Sequence, residues 1–582
     1  MTGQRSKKTG APSPDPESRA PGSVVWGQRL ALAGGVLILA PWSANVYTAP
    51  KALAASAGIA AAWLGLKSAR RTALGYPVLA LLACAGLSTA FSLDPFQSLW
   101  GDSFQPYYGV LQFSLYAAAY WLGASVDDKT ADDGLSTLAL AGGLAAAFAA
   151  AQAVGLVPHP WDATPGTRRV LGPTGNPAMF GAVAVMLLPA CLWRWKARSS
   201  RAAGLAAAGL GVALLLTQSR MAWLAAGGGA FVWLAASGRL TPRSRRLGTG
   251  LLLALVLAAG VFTLRRSRVD SMRVGVWRAA AVGALERPWT GYGPDNYMLA
   301  LRKLRKPEFV AITRHAQASQ SSAHNDLLQA AATLGLPGFL AYLWLIGALT
   351  AHLWRSLQGE ERERAAAAAG ALAAVFLAAK FNPVPPEGCV VAAWLAGACG
   401  PRREPLGGWR RPALAALACA VLAGYGLLAG AEAALGASRK ALTSGRFQEA
   451  AALAARAASL APGRLPQEVG LCSALIQLGE ADPGRVRALA SEALDVGRRA
   501  AQRHPGNPMA REAAGTAAFF AGLRLDRNLL HEALAELKAA SDRDPLHPYA
   551  IRRRIEVARA MGDAGELGRA EEDLRRVRQY CD

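Results

Sequence analysis

Ser321-Ser322-Ala323-His324-Asn325-Asp326, then Leu-Leu-Gln-Ala-Ala-Ala-Thr-Leu, then Gly335-Leu336-Pro337-Gly338 is the stretch on which the fold turns. Ser321 or Ser322 can cap a helix that begins here, and Asn325-Asp326 suit its electropositive first turn. Gly335 then ends this short helix, and Pro337 is placed to start the next one. The expected result is a helix that dips toward a membrane and breaks before crossing it. Irregular backbone at that depth is tolerated only where it lines a cavity or is buried in protein. His324 sits at the mouth of the helix, whose N-terminus lowers a histidine pKa and keeps the ring neutral. Read alone, it is more readily a capping or interfacial histidine, and only the full spacing reverses that preference. His315 has no such context and reads as a loop residue.

The surroundings make the membrane reading coherent. The chain has 582 residues, is 52% hydrophobic and has a mean hydropathy of +0.20. Residues 25 to 436 are dominated by apolar runs, whereas 439–582 is Ala-, Arg- and Glu-rich with helical patterning. A bilayer core takes about 20 apolar residues per helix, which gives about thirteen spans. They fall near 24–42, 49–66, 73–91, 107–124, 135–156, 177–194, 202–217, 221–238, 247–264, 328–354, 365–380, 386–400 and 411–436. The expected class is all-α: a polytopic membrane domain over 24–436, followed by a soluble helical domain over 439–582. Residues 1–23, polar and Pro-rich, read as a disordered cytoplasmic tail.

A net charge of +24 raises the question of nucleic acid. The basic residues, however, collect in alternate short loops: Lys67/Arg70/Arg71, Arg194–Arg201, Arg239–Arg246, Arg355–Arg364 and Arg402–Arg411. The positive-inside rule makes these loops cytoplasmic, and no nucleic-acid partner is expected. The acidic Asp127-Asp128 loop falls on the same side. The exterior set is then Phe91–Tyr108, Pro158–Asn176, the Thr217–Arg220 turn, a long loop over 265–326 and Lys380–Pro386. The C-terminal domain follows on that exterior side. The seven cysteines lack metal-ligand spacing and read as apolar thiols rather than a disulfide framework.

Several arginines share the exterior face. Arg220, in LLLTQSRMAWLAAG, occupies a tight turn between two spans. It is a snorkelling anchor or an anion contact, and the orientation rule favours the contact. Arg273-Val-Gly-Val-Trp277-Arg278 and Gly291-Tyr292-Gly293-Pro294-Asp295-Asn296-Tyr297 lie in the long loop. This Gly-x-Gly is a turn and not a dinucleotide fingerprint, because no strand precedes it. Arg278 is either an anion contact or an ordinary helix charge. Arg168-Arg169 precede Gly175-Asn176-Pro177, and Phe381-Asn382-Pro383 punctuates the late exterior loop. Trp100, Phe104, Tyr107 and Tyr108 read as an interfacial aromatic belt or a sugar-stacking surface, with the belt favoured.

Taken together, His-Asn, nine residues, Gly-x-x-Gly, the Ser-Arg after an apolar span, Arg-x-x-x-Trp and Gly-x-Gly-x-x-Asn-Tyr resemble the O-antigen ligase and Wzy-type polymerase superfamily. The resemblance covers about residues 90–400, with 217–340 its specific part. It implies a GT-C-like, metal-independent, inverting membrane glycosyltransferase of the bacterial inner membrane, needing no cofactor. A polyprenyl-diphosphate-linked glycan would be the donor. The acceptor would be a lipid A core, a growing polysaccharide or a protein hydroxyl, with the lipid A core favoured. His324 would be the base. Arg220 and Arg273 would hold the diphosphate, with Arg278, Asn325, Arg168 and Arg169 as further substrate contacts.

Residues 439–462, RKALTSGRFQEAAALAARAASLAP, place Gly445, Ala450, Ala457 and Pro462 in an arrangement that resembles a tetratricopeptide repeat. Similar fragments end at His504-Pro505 and Asp544-Pro545. A generic Ala-rich bundle is the competing reading. Such a surface would bind a protein partner. Two further classes stay open for the whole chain: a multispan transporter and a membrane scaffold.

Overall fold

A computed structural model describes residues 20–70, 72–102, 107–157, 169–251, 254, 268–304, 320–359, 362–400 and 405–579. The tail over 1–19, most of the expected span at 247–264, Phe104, Arg168 and His315 lie outside the described residues. The described chain is almost wholly helical, with one two-residue antiparallel pairing of Ala69–Arg70 with Pro405–Leu406.

In order, the helices are α1 Gly22–Arg29 with its continuation to Leu37, α2 Thr48–Gly65, α3 Gly75–Ala90, α4 Pro95–Trp100, α5 Val110–Ser125, α6 Asp128–Ala153, α7 Pro177–Ala197, α8 Arg201–Leu216, α9 Arg220–Ala236, α10 Arg268–Glu286 and α11 Tyr297–Leu304. There follow α12 Asp326–Ser356, α13 Arg362–Ala379, α14 Pro386–Ala398 and α15 Arg410–Thr443, then α16 Phe447–Leu460, α17 Leu465–Ala481, α18 Val486–Arg503, α19 Pro508–Arg524, α20 Leu529–Arg543, α21 Pro548–Met561 and α22 Ala564–Gln579. Among the described residues four helices are long and apolar enough to cross a membrane: α6, α7, α12 and α15. The other apolar runs yield shorter helices, such as the 13-residue α14, or alanine-diluted ones, such as α13.

Helices α1 to α9 and α12 to α15 form one bundle around a core rich in alanine. Small residues let backbones approach closely, which matters where apolar surroundings supply little drive for helix association. A Cβ on Gly123 of α5 would lie 2.2 Å from the carbonyl of Trp394 in α14. The outside of this bundle is apolar as well. Leu140, Leu205, Val212, Leu215, Leu340 and Trp344 all stand exposed, a surface that a protein in water would cover.

The two ends of the bundle differ in charge. At one end the basic loops meet the acidic start of α6. Arg364 pairs with Asp128 and Asp132, Arg198 also pairs with Asp132, and Arg29 with Asp133. That pairing explains the acidic Asp127-Asp128 segment among basic loops: it is their counter-charge. At the opposite end lie the N-termini of α7, α9, α12 and α14, and the loops expected to be exterior. Asn325 reaches Lys380, Arg169 reaches Thr217, and Leu93 pairs with Tyr292.

Beyond the bundle, α16 to α22 are consecutive antiparallel helices, each packed mainly on its neighbours in sequence. Helix α15 runs 34 residues from the bundle into this array. No break falls at 436–439, where the sequence suggested a boundary. Residues 430–443 hold neither proline nor a glycine pair, and the helix ends only before Gly445 at φ 72°.

Candidate functional site

The motif at 321–338 builds the site through its break. Gly335 adopts φ 66° and ψ −172°, dividing α12 into two helices. Pro337 has no N–H to give to Thr333, and the Leu336 N–H leaves the helix for the carbonyl of Pro288 at 2.6 Å. Two carbonyls are thereby freed inside protein, and the loop over 288–293 satisfies both. Tyr292 N–H donates to Ala332 O at 2.9 Å and Gly293 N–H to Thr333 O at 3.0 Å. Ser88 Oγ also donates to Thr333 O, at 2.8 Å. The His-Asn…Gly and Gly-x-Gly motifs are thus two halves of one backbone junction.

His324 precedes this helix at φ 50°, a conformation uncommon outside glycine. The cap differs from the expectation of Ser321 or Ser322. Asn325 is the N-cap, with Oδ1 accepting from the N–H groups of Leu327 and Leu328, both at 3.1 Å. Its Nδ2 donates to the Lys380 carbonyl at 3.4 Å. Both ends of the Asn325 amide therefore fix the His324 loop against the loop after α13. The next residue, Asp326, accepts from Lys380 Nζ, at 2.6 Å to Oδ2, and from the Tyr342 hydroxyl.

The His324 ring is half-buried. Its Nε2 lies 2.8 Å from Gln320 Oε1, which makes Nε2 the N–H donor and leaves the lone pair on Nδ1. That Nδ1 is buried and has no well-aligned hydrogen-bond partner among the described residues. Burial first, and then the Arg273 guanidinium, hold the imidazole down to about 4. Loose hydrogen-bonding approaches of the Phe381 backbone and the Asn382 side chain to the ring pull the other way. For this neutral ring the two named causes are desolvation and a neighbouring cation.

Arg273 lies on α10 one turn before Val276 and Trp277. Val276 is buried against Tyr297, Ala323 and Ala332, so this face of α10 packs on the His324 motif. Arg278 is exposed and lies about 140° further around the axis. Arg220 opens α9, after Gln218 at φ 50° closes the turn. Arg169 Nε donates to the Thr217 carbonyl of that turn at 2.8 Å, so Arg169 and Arg220 flank one corner. Helix α9 runs antiparallel to α13: Gly229 meets Gly370 and Ala374, and Arg362 donates to Ala236 O. Continuing that register places Arg220 level with Lys380–Asn382, beside the His324 loop.

Sequence reasoning missed three participants: Lys380, Tyr342 and Asp295. The first two meet Asp326 from the loop after α13 and from the second half of α12, a pairing that no sequence spacing reveals. Asp295, at φ 54° in the Gly-x-Gly segment, is fully buried. It accepts N–H bonds from Asp102 at 3.1 Å and from Tyr108 at 3.0 Å, holding both sides of the 102–108 loop. Burial and the neighbouring Asp102 push its carboxyl up to about 7 despite those donors.

Tyr107 and Tyr108, the described aromatics of this loop, do not form an exposed belt. Tyr107 is 4% exposed and donates to Met179 Sδ, while Trp100 Nε1 donates to the Pro462 carbonyl. Tyr107 and Tyr108 stand edge to face with centroids 6.2 Å apart. On the Tyr108 side lies an apolar cleft of about 300 Å³ with Asp326 and Tyr342 in its wall, between α3, α5, α12, α13 and α14.

The helical array after α15 is docked on the same end. His504 Nδ1 lies 2.6 Å from Asp94 Oδ2, and its ring is 5.7 Å from that of Phe96. Arg464 donates to the Gly101 carbonyl at 3.3 Å and pairs with Glu432 at 3.1 Å.

The family described as O-antigen ligase matches residues 205–343, a segment holding Arg220, Arg273, His324 and the Gly335 break. No curated protein matches the chain. The family match and the apolar helices support a membrane protein with a glycan-transfer function of the ligase or polymerase type.

Proposed function

We propose that the chain transfers a glycan from a polyprenyl-diphosphate carrier to an acceptor hydroxyl on the extracytoplasmic face of the inner membrane, as an O-antigen ligase does with a lipid A core. The observation that carries the reading is His324: a neutral imidazole beside Arg273, with a buried Nδ1 that no described group bonds in good geometry. A buried polar atom without a partner suits a substrate hydroxyl.

In this reading the acceptor O–H donates to Nδ1 and its oxygen attacks the anomeric carbon. The bond from that carbon to the diphosphate oxygen breaks, and the electron pair leaves with the diphosphate, inverting the centre. Arg220 and Arg273 oppose the growing charge, and a guanidinium fork matches phosphate oxygens better than an ammonium does. The same cation explains the timing. Arg273 disfavours a proton on His324 in the empty site, and a bound diphosphate would offset that charge and let the ring accept one. Arg169 steadies the Arg220 corner, and Asn325 positions the His324 loop. The apolar cleft beside Asp326 suits the lipid part of the donor.

A transporter is less well supported. The buried Lys51–Glu387 pair, at 3.0 Å, joins the first turns of α2 and α14 at this same end rather than mid-helix. The test is deletion in the host, with complementation by wild type and His324→Ala. Loss of the glycan ladder on lipid A identifies a ligase. Single repeats still attached identify a polymerase, and lost protein glycosylation a protein-directed enzyme. Unchanged glycans with His324→Ala defeat the proposal.

A further inference from the structure

On the other side of the Tyr107–Tyr108 pair lies a second cavity, of about 610 Å³, between the bundle and the C-terminal helical array. One wall is Asn45–Thr48, between α1 and α2, with Thr174–Asn176 at the mouth of α7. The other is supplied by Ser438 and Arg439 of α15 and by Ser473 of α17. Its volume falls in the roughly 300–1,000 Å³ range of small-molecule sites. Its lining is more mixed than that of the apolar cleft: hydroxyls, amides, a guanidinium and the Tyr47 and Tyr107 rings stand beside Met179, Leu435, Leu442 and Val469.

Two details point to a ligand. The Arg439 side chain is exposed and makes no hydrogen bond or ion pair among the described residues, although the cavity wall also holds Glu432, which Arg464 and Gln467 occupy. The Tyr47 ring is set against Gly175, where a Cβ would come within 2.3 Å, so glycine keeps the ring seated in the wall. A fixed aromatic plane, amide and hydroxyl groups and an uncommitted guanidinium are what a saccharide needs: apolar C–H faces to stack and many hydroxyls to bond.

We infer that this cavity is an oligosaccharide subsite, with the C-terminal array supplying one wall. The inference rests on the glycan-transfer reading and extends it. Tyr107 faces this cavity while Tyr108 faces the Asp326 cleft, so sugar and lipid would lie on opposite sides of one aromatic pair. The array would act as part of the glycan site and not only as a docking surface for another protein.

The test uses the full chain in detergent, and two probes. One is the oligosaccharide released from the host's lipid-linked donor pool; the other is core oligosaccharide released from its lipid A. Melting temperature and saturation-transfer NMR report binding to wild type, Arg439→Ala, Ser473→Trp and His324→Ala. Binding of one probe to wild type and His324→Ala, weakened at least tenfold in Arg439→Ala and Ser473→Trp, supports the subsite and names the source of the sugar. Unaltered melting of the unliganded Arg439→Ala shows that the fold is kept. Binding of neither probe, or equal binding by all four proteins, overturns it. Failure of the catalytic reading is separate: it would show as transfer surviving in His324→Ala, whatever the probes bind.

Discussion

Gly291 and Gly335 face each other backbone to backbone, both at positive φ, 65° and 66°. A Cβ on Gly291 would lie 2.4 Å from the Thr333 carbonyl carbon, and one on Gly335 would lie 2.7 Å from that of Trp289. Neither neighbour is a side chain that can turn away. Gly335→Ala and Gly291→Ala should each cost about 1–3 kcal/mol or more, through backbone strain and displacement of the junction. Thermal unfolding in detergent checks this, with glycan transfer expected to fall in parallel. Wild-type melting in both variants would contradict the junction.

The pH dependence of transfer should carry the signature of a depressed histidine. With His324 held down to about 4, the base form persists well below the usual histidine range. The kcat/KM for transfer, which reports the empty site, should stay level from pH 8 to near 5 and decline only below that. Arg273→Gln removes a cation that disfavours protonation, so the acid limb should move upward, toward 6.5. A rate profile against pH for both proteins decides the matter. An unmoved limb would separate Arg273 from the base.

For Arg220 the expectation concerns shape as well as charge. Arg220→Ala should lower transfer by about 10²-fold. Arg220→Lys should recover only part of it, because an ammonium cannot make the bidentate contact. Initial rates at saturating and limiting donor locate the loss. Full recovery by lysine would reduce the role to simple charge.

The buried His504–Asp94 contact ties the C-terminal array to the 93–102 segment. His504→Ala should leave the Asp94 carboxylate, which also caps α4, short of a partner at a cost of about 1–3 kcal/mol. Faster hydrogen exchange over 93–102 and 461–508, with the bundle unchanged, is the expected readout. Uniform exchange throughout would show that the contact is not what holds the array.

How much of this was legible in the sequence follows from the range of each interaction. The break at Gly335 and Pro337 could be read because both residues act on their own backbone. The all-α class could be read because apolar runs and Ala-rich stretches persist over many turns. The cap was misread: Ser321, Ser322 and Asn325 are all good caps, and tertiary contact with Lys380 selects Asn325. Tyr107 and Tyr108 looked interfacial because their contacts with Met179 and Asp295, far along the chain, leave no local mark. Asp295 stood inside a recognised motif, yet its bonds to Asp102 and Tyr108 span 193 and 187 residues. Lys380 was passed over for the same reason, since its partner Asp326 is 54 residues away.

Helix α15 gives the molecule a fixed reach. Its 34 residues correspond to about 51 Å of uninterrupted rod, rooted among α2 and α5 at one end and continuous with the array at the other. A flexible tether would let the array sample many heights and dilute its local concentration over all of them. A rod, clamped a second time through Arg464 and Glu432, permits one. The distance between whatever the array holds and the His324 nitrogen is then set by the chain itself. Lengthening α15 by a single turn would move that cargo about 5 Å and rotate it little, a change the chemistry would feel as lost register rather than lost affinity.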